Sequence, residues 1–192
     1  MKKILLIALV LVLPLVANAQ VKMNFRNTEW GYSIEQVKKS ENKISAFDEK
    51  EDMLLFQDKL GTSDVAVLYD FKENKLTNGS YIFLDDISVG NEGLSLFYKF
   101  KSLLFDKYGV PDQERTEWKD NVFEKDSDFW GLAVRLGHLS LSASWIDKDQ
   151  DTVIIILLSG GNRESRLLMS YASISATEEK NKINESSLID KL

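Results

Sequence analysis

Cysteine is absent from the chain, and histidine occurs only once. The absence of cysteine excludes disulfide bonds, thiol nucleophiles, redox chemistry and thiolate metal ligands. The single histidine, His138, excludes sites that need two imidazoles, and a Ser-His-Asp triad would have to use it. We expect His138 to lie in a turn beside Gly137, where side chains point to solvent. The sequence therefore predicts no catalytic residue, no metal ligand and no cofactor site.

Basic residues are outnumbered by acidic ones, and the formal net charge is −6. Clusters of basic residues are also scarce. A nucleic-acid-binding protein carries a basic patch or stripe, and so does a protein that binds anionic lipid. The longest basic cluster here is Lys38-Lys39, which is typical of a solvated helix face. We therefore expect no nucleic-acid partner.

The one long apolar run that begins near a terminus is Ile4–Val16. It follows Lys2 and Lys3 and precedes Ala17-Asn18-Ala19, which is the pattern of a secretory signal peptide cleaved after Ala19. The run is shorter than the roughly 20 residues that cross a bilayer. No cysteine follows that could carry a lipid. The sequence predicts a signal peptide at residues 1–19, a periplasmic or extracellular location, and no membrane anchor after processing.

The first half of the remaining chain alternates helical and strand patterns. Ser33 and Gln36 form a capping box, which predicts a helix from Ile34 to about Asn42. Apolar residues at three- and four-residue spacing predict a longer helix from Glu92 to Tyr108, with Gly109 at its C′ position. Between these helices, alternating apolar residues predict three strands, namely Met53–Gln57, Asp64–Phe71 and Leu76–Leu84.

The second half has a strand-like pattern throughout. Alternation predicts five strands, namely Arg115–Glu124, Phe129–Leu136, Leu139–Ile146, Thr152–Ser159 and Arg166–Ser173. Gly137-His138 suits a two-residue type II′ hairpin turn, and Gly160-Gly161-Asn162 predicts another tight connection. Strands joined by short turns are antiparallel.

Taken together, these patterns predict a single α+β domain over residues 20–173. Its antiparallel sheet or sheets would pack against two helices, in two unequal halves that each consist of a helix followed by a meander. Residues 174–192 are polar and rich in charge. We expect them to form either a flexible tail or a docked helix, which Ser175 and Glu178 could cap.

Two groups of acidic residues could carry chemistry. The run Asp147–Asp151 alternates Asp as a calcium loop does, but Thr152 stands where that loop needs Gly and Leu158 where it needs Glu. We therefore predict a hairpin turn without a functional calcium ion. Asp85/Asp86 and Asp126/Asp128 could act as paired carboxylates in acid–base catalysis, although loops commonly carry such residues for solubility.

One predicted strand, Thr152–Ser159, is apolar on both of its faces. Its predicted neighbour carries a row of serines opposite an apolar row. An apolar stripe beside flat serines needs a cover, which could be a partner, the C-terminal tail, or the protein's own bent sheet. The sequence predicts a contact surface formed by Ser140, Ser142, Ser144, Ile154, Ile156 and Leu158.

Two short motifs carry a family resemblance. The segment Trp30–Val37 resembles a Trp-Gly-x-Ser helix start that recurs in uncharacterised small secreted bacterial domains, and Lys107–Pro111 resembles the end of their long helix. The order of helix and meander is distantly similar to the β-lactamase inhibitor protein and to small outer-membrane assembly lipoproteins. This resemblance implies an α+β fold and a non-catalytic binding role.

The sequence leaves three functions open. The first is binding of an unknown protein or ligand through a sheet face, in an oligomeric state that the sequence does not define. The second is hydrolysis by paired carboxylates without a metal, which would bring carboxylates with perturbed pKa values together in a cleft. The third is transport of apolar ligands, which would need a continuous apolar cavity between the sheet and the long helix.

Overall fold

The computed structural model describes residues 23–41 and 46–179. Its helices include α1 (Ile34–Ser40), α2 (Glu92–Tyr108) and α3 (Trp130–Leu136), with a 3₁₀ turn at Ser127–Phe129 before α3. Residues 174–179 are also helical. Its eight strands are β1 (Ala46–Lys50), β2 (Met53–Leu60), β3 (Ser63–Lys72), β4 (Lys75–Phe83), β5 (Gln113–Trp118), β6 (Leu139–Asp147), β7 (Thr152–Gly161) and β8 (Glu164–Ser173).

All eight strands form one antiparallel sheet in the order β1-β2-β3-β4-β8-β7-β6-β5. The predicted α+β class with an antiparallel sheet is therefore confirmed. In the chain, β1–β4 follow α1 and β5–β8 follow α2. The last strands of these two groups, β4 and β8, pair with one another at the centre of the sheet. The predicted signal peptide and residues 180–192 lie outside the described residues. None of the helices in the described ranges is long and apolar enough to span a membrane.

The local signals of the first half are realised in the structure. Ser33 accepts a hydrogen bond from the Gln36 backbone N–H at 3.3 Å, and the Gln36 side chain accepts one from the Ser33 N–H at 2.9 Å. This capping box starts α1 as predicted. The helix ends at Ser40, before the predicted Asn42. β1 was not predicted, because its sequence of mixed charges carries no alternation of apolar residues.

The long helix α2 has the predicted bounds. Gly109 adopts φ 81°, which favours glycine, and its N–H donates to the Phe105 carbonyl at 2.8 Å. Phe97, Phe100 and Leu104 are buried, whereas Leu103, the residue before Leu104, is 54% exposed.

The prediction of a strand at Phe129–Leu136 was wrong, because this segment forms the end of the 3₁₀ turn and helix α3. Trp130, Leu132, Val134 and Leu136 alternate as in a strand, but the helix buries Gly131, Ala133 and Val134 instead. The close packing of Gly131 favours the helix. A Cβ there would lie 1.9 Å from the Gly90 carbonyl oxygen, and the Gly131 N–H donates to the Asn91 side chain at 2.9 Å.

The predicted hairpin at Gly137-His138 was also wrong, because the residues before it form helix α3 and not a strand. Gly137 ends α3 in the left-handed region at φ 77°, and the His138 N–H donates to the Ala133 carbonyl at 2.8 Å. β6 therefore pairs with β5 instead of with the preceding segment. β5 itself ends at Trp118, well short of the predicted Glu124.

The core lies between the sheet and the helices. α2 and α3 contact β6, β7 and β8, and α1 contributes Val37, which is fully buried. The predicted packing of α1 and α2 alone against the sheet is thus incomplete, because it leaves out α3. The core-facing side chain of Phe83 contacts Phe100 of α2 edge-to-face, with ring centroids 4.8 Å apart.

The segment before α1 is held on the sheet by Phe25. Its ring lies among Tyr69, Tyr81 and Tyr171, with centroid distances of 5.3, 5.0 and 5.3 Å. The ring also occupies the space over Gly79, where an added Cβ would lie 2.0 Å from the Phe25 Cδ1 atom. Gly79 is therefore required for close approach of an aromatic ring.

We expect Gly79→Ala to destabilise the protein by about 1–3 kcal/mol, because Phe25 is boxed in by three rings and cannot move aside freely. Chemical denaturation of the variant tests this. Phe25→Ala should cost about 3–5 kcal/mol. The double variant should cost less than the sum of the two single changes, because the clash is then gone. Strict additivity would contradict the close contact.

A largely buried ion cluster also holds the segment before α1 on the sheet. Arg26 donates to Glu41 from Nε at 2.6 Å and to Asp58 from a terminal nitrogen at 2.7 Å. The Tyr69 hydroxyl donates a short hydrogen bond to Glu41. Burial by itself lowers the pKa of Arg26, but the hydrogen bonds to Glu41 and Asp58 outweigh it, so the pKa is raised. Burial and the contact with Glu41 raise the pKa of Tyr69.

Candidate functional site

The two faces of β7 have different surroundings. Ile154, Ile156 and Leu158 face the core, and each is 0% exposed. They pair in register with Trp145, Ala143 and Leu141, the buried row of β6. The predicted contact surface is therefore wrong in its apolar half, because Ile154, Ile156 and Leu158 lie on the face opposite to the serines.

The serine row does lie on the other face of β6. Ser142 and Ser144 pair with Leu157 and Ile155 of β7, and all three serines are half-buried. The apolar residues beside the serines are therefore Val153, Ile155 and Leu157. The sequence could not separate the two sets, because β7 is apolar on both faces.

These residues belong to a wider surface that we call the open face. In the register, Ile82 of β4, Leu168 of β8 and Leu157 of β7 lie opposite one another on neighbouring strands. The next row along the strands contains Leu68, Ser80, Ser170 and Ile155. The open face thus comprises Leu68, Ser80, Ile82, Val153, Ile155, Leu157, Leu168, Ser170 and the serine row Ser140, Ser142 and Ser144.

The open face is partly accessible to solvent. Ile155 is 39% exposed at its centre, and Leu68, Ile82, Leu157 and Leu168 are half-buried. Among the described residues, the helical segment 174–179 lies at one end of the open face, whereas α2 and α3 lie on the core side. For example, an added Cβ at Gly93 of α2 would lie 3.3 Å from the core-facing Leu158. A contiguous accessible apolar surface of this kind is typical of a contact site.

A hydrogen-bonded polar network crosses three strands at one end of the open face. The Asn78 side-chain nitrogen donates to Asp70 at 2.7 Å, and the Ser170 hydroxyl donates to the Asn78 side-chain oxygen at 2.9 Å. The Ser80 hydroxyl donates to Ser170 at 3.0 Å. Sequence reasoning missed this network, because it depends on the pairing of β4 with β8, and no local pattern encodes that pairing.

A cavity of about 650 Å³ adjoins this network. Asp70, Asn78 and Ala172, which follow one another across β3, β4 and β8, form one wall. Ala176 and Thr177, in the helical residues 174–179, form the other wall. Lys72 and Glu179 form an ion pair at 3.0 Å beside it. The start of the predicted tail is therefore a docked helical turn, whereas residues 180–192 are outside the described part.

His138 lies in a different environment from the predicted solvent-facing turn. It is half-buried, and its ring stacks on Phe123 with a centroid distance of 6.0 Å and an interplanar angle of 22°. Its Nδ1 atom is buried and has no hydrogen-bond partner among the residues that the structure describes. The Phe123 ring also lies 5.9 Å from the Phe129 ring, so His138 belongs to a small aromatic cluster.

The candidate carboxylate pairs act as acceptors in turns. Asp86 accepts a hydrogen bond from the Ser88 N–H at 3.1 Å, and Asp126 accepts one from the Asp128 N–H at 3.2 Å. Asp85 accepts a long bond of 3.5 Å from the Asp64 N–H. These roles are structural.

The acidic run between β6 and β7 forms the predicted turn. Asp147 accepts from the Gln150 N–H at 3.0 Å, and Asp151 binds the Ser173 and Ser175 hydroxyls at 2.8 and 2.7 Å. Within residues 23–41 and 46–179, no group of three or more acidic or histidine side chains could hold a metal ion. The lack of a functional calcium ion stays a prediction.

The space between α2 and the sheet is filled by side chains. Phe97, Phe100 and Leu104 of α2 are 1%, 5% and 4% exposed and pack directly into the core. A carrier of apolar ligands needs an open volume of several hundred cubic ångströms at such a position. This packing leaves little room for a ligand there.

Comparisons with family models, with curated proteins and with solved structures return no match. The resemblance inferred from Trp30–Val37 and Lys107–Pro111 therefore stays a prediction.

Proposed function

We propose that this protein acts by binding a partner protein through the open face. The observation that carries the proposal is the contiguous apolar row on neighbouring strands, Ile82, Leu168 and Leu157, with Ile155 exposed beside it. Covering such a row would remove apolar area from water at roughly 25 cal/mol per Å² before the costs of association are subtracted.

The composition of the face favours a protein over a small ligand. Ser140, Ser142 and Ser144 place a strip of short side chains beside the apolar row, on the same face of the sheet. Short side chains let another backbone approach closely, and their hydroxyls can donate and accept hydrogen bonds at the rim. A polar rim around an apolar centre is the usual arrangement of protein–protein interfaces.

The charge of the chain favours a partner other than a second copy. The formal net charge is −6, so two copies repel one another at long range. A neutral or basic partner with an apolar surface would avoid this repulsion. We also propose that the encounter takes place outside the cytoplasm, on the basis of the predicted signal peptide at residues 1–19.

Binding is preferred to the two other functions on geometric grounds. The acidic pairs that a hydrolase would use serve as turn acceptors, at Asp86 and Asp126. The volume that an apolar-ligand carrier would use is occupied by Phe97 and Phe100. No second function has an observation of comparable weight.

Photo-crosslinking from the open face tests the proposal. We expect p-benzoylphenylalanine in place of Ile155, in cells that produce the full chain, to give an adduct of one defined mass. The same group at Tyr98, an exposed position on α2, is the matched control and should not give that adduct. Adding Leu157→Asp should weaken the adduct, because it places a charge within the apolar row.

Three results would contradict the proposal. One is the absence of an adduct from Ile155, and another is equal adducts from Ile155 and Tyr98. The third is an adduct of twice the chain's mass, which would identify a second copy of this protein as the occupant of the face.

A further inference from the structure

The cavity at the end of the open face contains a carboxylate without a cationic partner among the described residues. Asp70 accepts its hydrogen bond from the neutral amide of Asn78. The nearest basic residue along the strand, Lys72, is paired with Glu179 instead. A half-buried carboxylate with a single neutral donor has further acceptor positions for a ligand.

The electrostatic surroundings of Asp70 favour a positive ligand. Burial raises the pKa of Asp70, the hydrogen bond from Asn78 lowers it, and the negative charge of Asp52 raises it again. Because Lys72 and Glu179 neutralise one another, the charge that faces the cavity is negative. A cation placed against Asp70 would compensate for the energetic cost of burying the negative charge. It would also offset the repulsion between Asp70 and Asp52.

The carboxylate is also held in place. The Asn78 side-chain oxygen accepts from Ser170, which fixes the orientation of the amide and directs its nitrogen toward Asp70. Ser80, which is buried, supports Ser170 from the next strand. An acceptor that is oriented before binding loses less entropy on complex formation.

The remaining walls fit an alkyl stem. Ala172 and Ala176 contribute apolar surface, and the volume of about 650 Å³ is ample for a four-carbon chain with its terminal group. A lysine side chain combines such a stem with an ammonium group that donates three hydrogen bonds.

We propose that this cavity binds the side chain of a lysine from the partner protein, with its ammonium group on Asp70 and its methylene stem against Ala172 and Ala176. The inference rests on the proposed function, since it names a partner residue beside the apolar row. The occupant is thus a protein surface with apolar residues flanked by lysine.

The test uses the full chain and needs no partner. The probe is Nα-acetyl-lysine N-methylamide, and its control is the norleucine analogue, which keeps the stem and lacks the ammonium group. We expect the lysine probe to lower the pKa of Asp70, followed by carbon NMR of the side-chain carboxyl group, because a bound cation stabilises the charged form. The norleucine analogue should leave that pKa unchanged.

Variants make the test specific. Asp70→Asn should weaken binding of the lysine probe by about tenfold or more, since it removes the charge but keeps the shape. Asp64→Asn is the matched control on the same strand and face and should leave the affinity unchanged. Equal affinity for wild type and Asp70→Asn, or equal losses in both variants, would overturn the proposal.

The chain's own Lys180, which follows Glu179 directly, and Lys182, two residues further on, are the internal competitors. If Lys180→Ala or Lys182→Ala raises the pKa of Asp70 in the absence of probe, the chain itself supplies the ammonium group, and the proposal of a partner lysine is overturned. These outcomes are independent of the crosslinking result at Ile155. Failure of the lysine site and failure of the open-face interface can therefore be told apart.

Discussion

Replacement of Ile156 by lysine is expected to abolish the cooperative unfolding transition, while the same change at Ile155 leaves the fold intact. Ile156 is fully buried between Ala143 and Met169 on the core face, so its lysine variant must bury an unpaired ammonium group. The cost is about 4 kcal/mol or more, comparable with the whole stability of many domains. Thermal melts followed by circular dichroism measure it.

Ile155 is the matched control, because it is the adjacent residue of the same strand and lies on the open face at 39% exposure. A lysine there can extend its ammonium group into water, and we expect a change of less than about 1 kcal/mol. Similar losses in both variants would contradict the assignment of an accessible open face. Such a result would mean that the described surface is covered in solution.

Replacement of Arg26 by methionine is expected to cost about 3–5 kcal/mol, because it leaves the carboxylate of Glu41 buried without its cation. The Glu41 side chain is 3% exposed, so water cannot replace the lost partner. Denaturant unfolding measures the change. The double variant Arg26→Met with Glu41→Gln should recover part of the stability, since it removes the buried charge of Glu41 and leaves only the more exposed Asp58 without its cation.

Arg115 provides the control for the ion cluster. Its Nη1 atom lies 3.7 Å from the Oε1 atom of Glu117, and both side chains are mostly exposed. Arg115→Met should change the free energy of unfolding by less than about 1 kcal/mol, as is usual for surface pairs. If Arg26→Met costs no more than Arg115→Met, Arg26 does not hold the segment before α1 on the sheet.

The elements that could be predicted are those with local causes. α1 starts at a capping box formed by Ser33 and Gln36, and α2 ends at Gly109, which has a positive φ of 81°. The turn at residues 73–74 has positive φ at Glu73 and Asn74, as expected for a two-residue hairpin. Each of these signals involves residues a few positions apart, so one sequence is enough to read them.

The error at α3 also has a physical reason. Its residues alternate like those of a strand, but the packing of Gly131 against Gly90 and the hydrogen bond that the Gly131 N–H donates to Asn91 are contacts over about 40 residues of sequence. Tertiary contacts of this kind override a local pattern in a short element. The consequence for the fold is large, because β5 then pairs with β6 at the sheet edge.

The candidate site was only half predictable. The alternation of β6 correctly separates Ser140, Ser142 and Ser144 from the buried Trp145 row. In β7 both faces are apolar, so the alternation contains no information about which set is buried. The register with β6 decides it, by placing Ile155 and Leu157 beside the serines.

By itself, the sequence determined the α+β class, the bounds of α2 and most strand positions, because periodicity and caps act within one element. Only the tertiary structure decided which face of β7 is open, and only it placed Asp70, Asn78 and Ala172 in one row at the cavity. The row at the cavity depends on the pairing of β4 with β8, whose paired residues lie about 90 positions apart in the chain, as Ser80 and Ser170 do. Hydrogen bonds between distant strands depend on the backbone, and therefore leave little trace in the order of side chains.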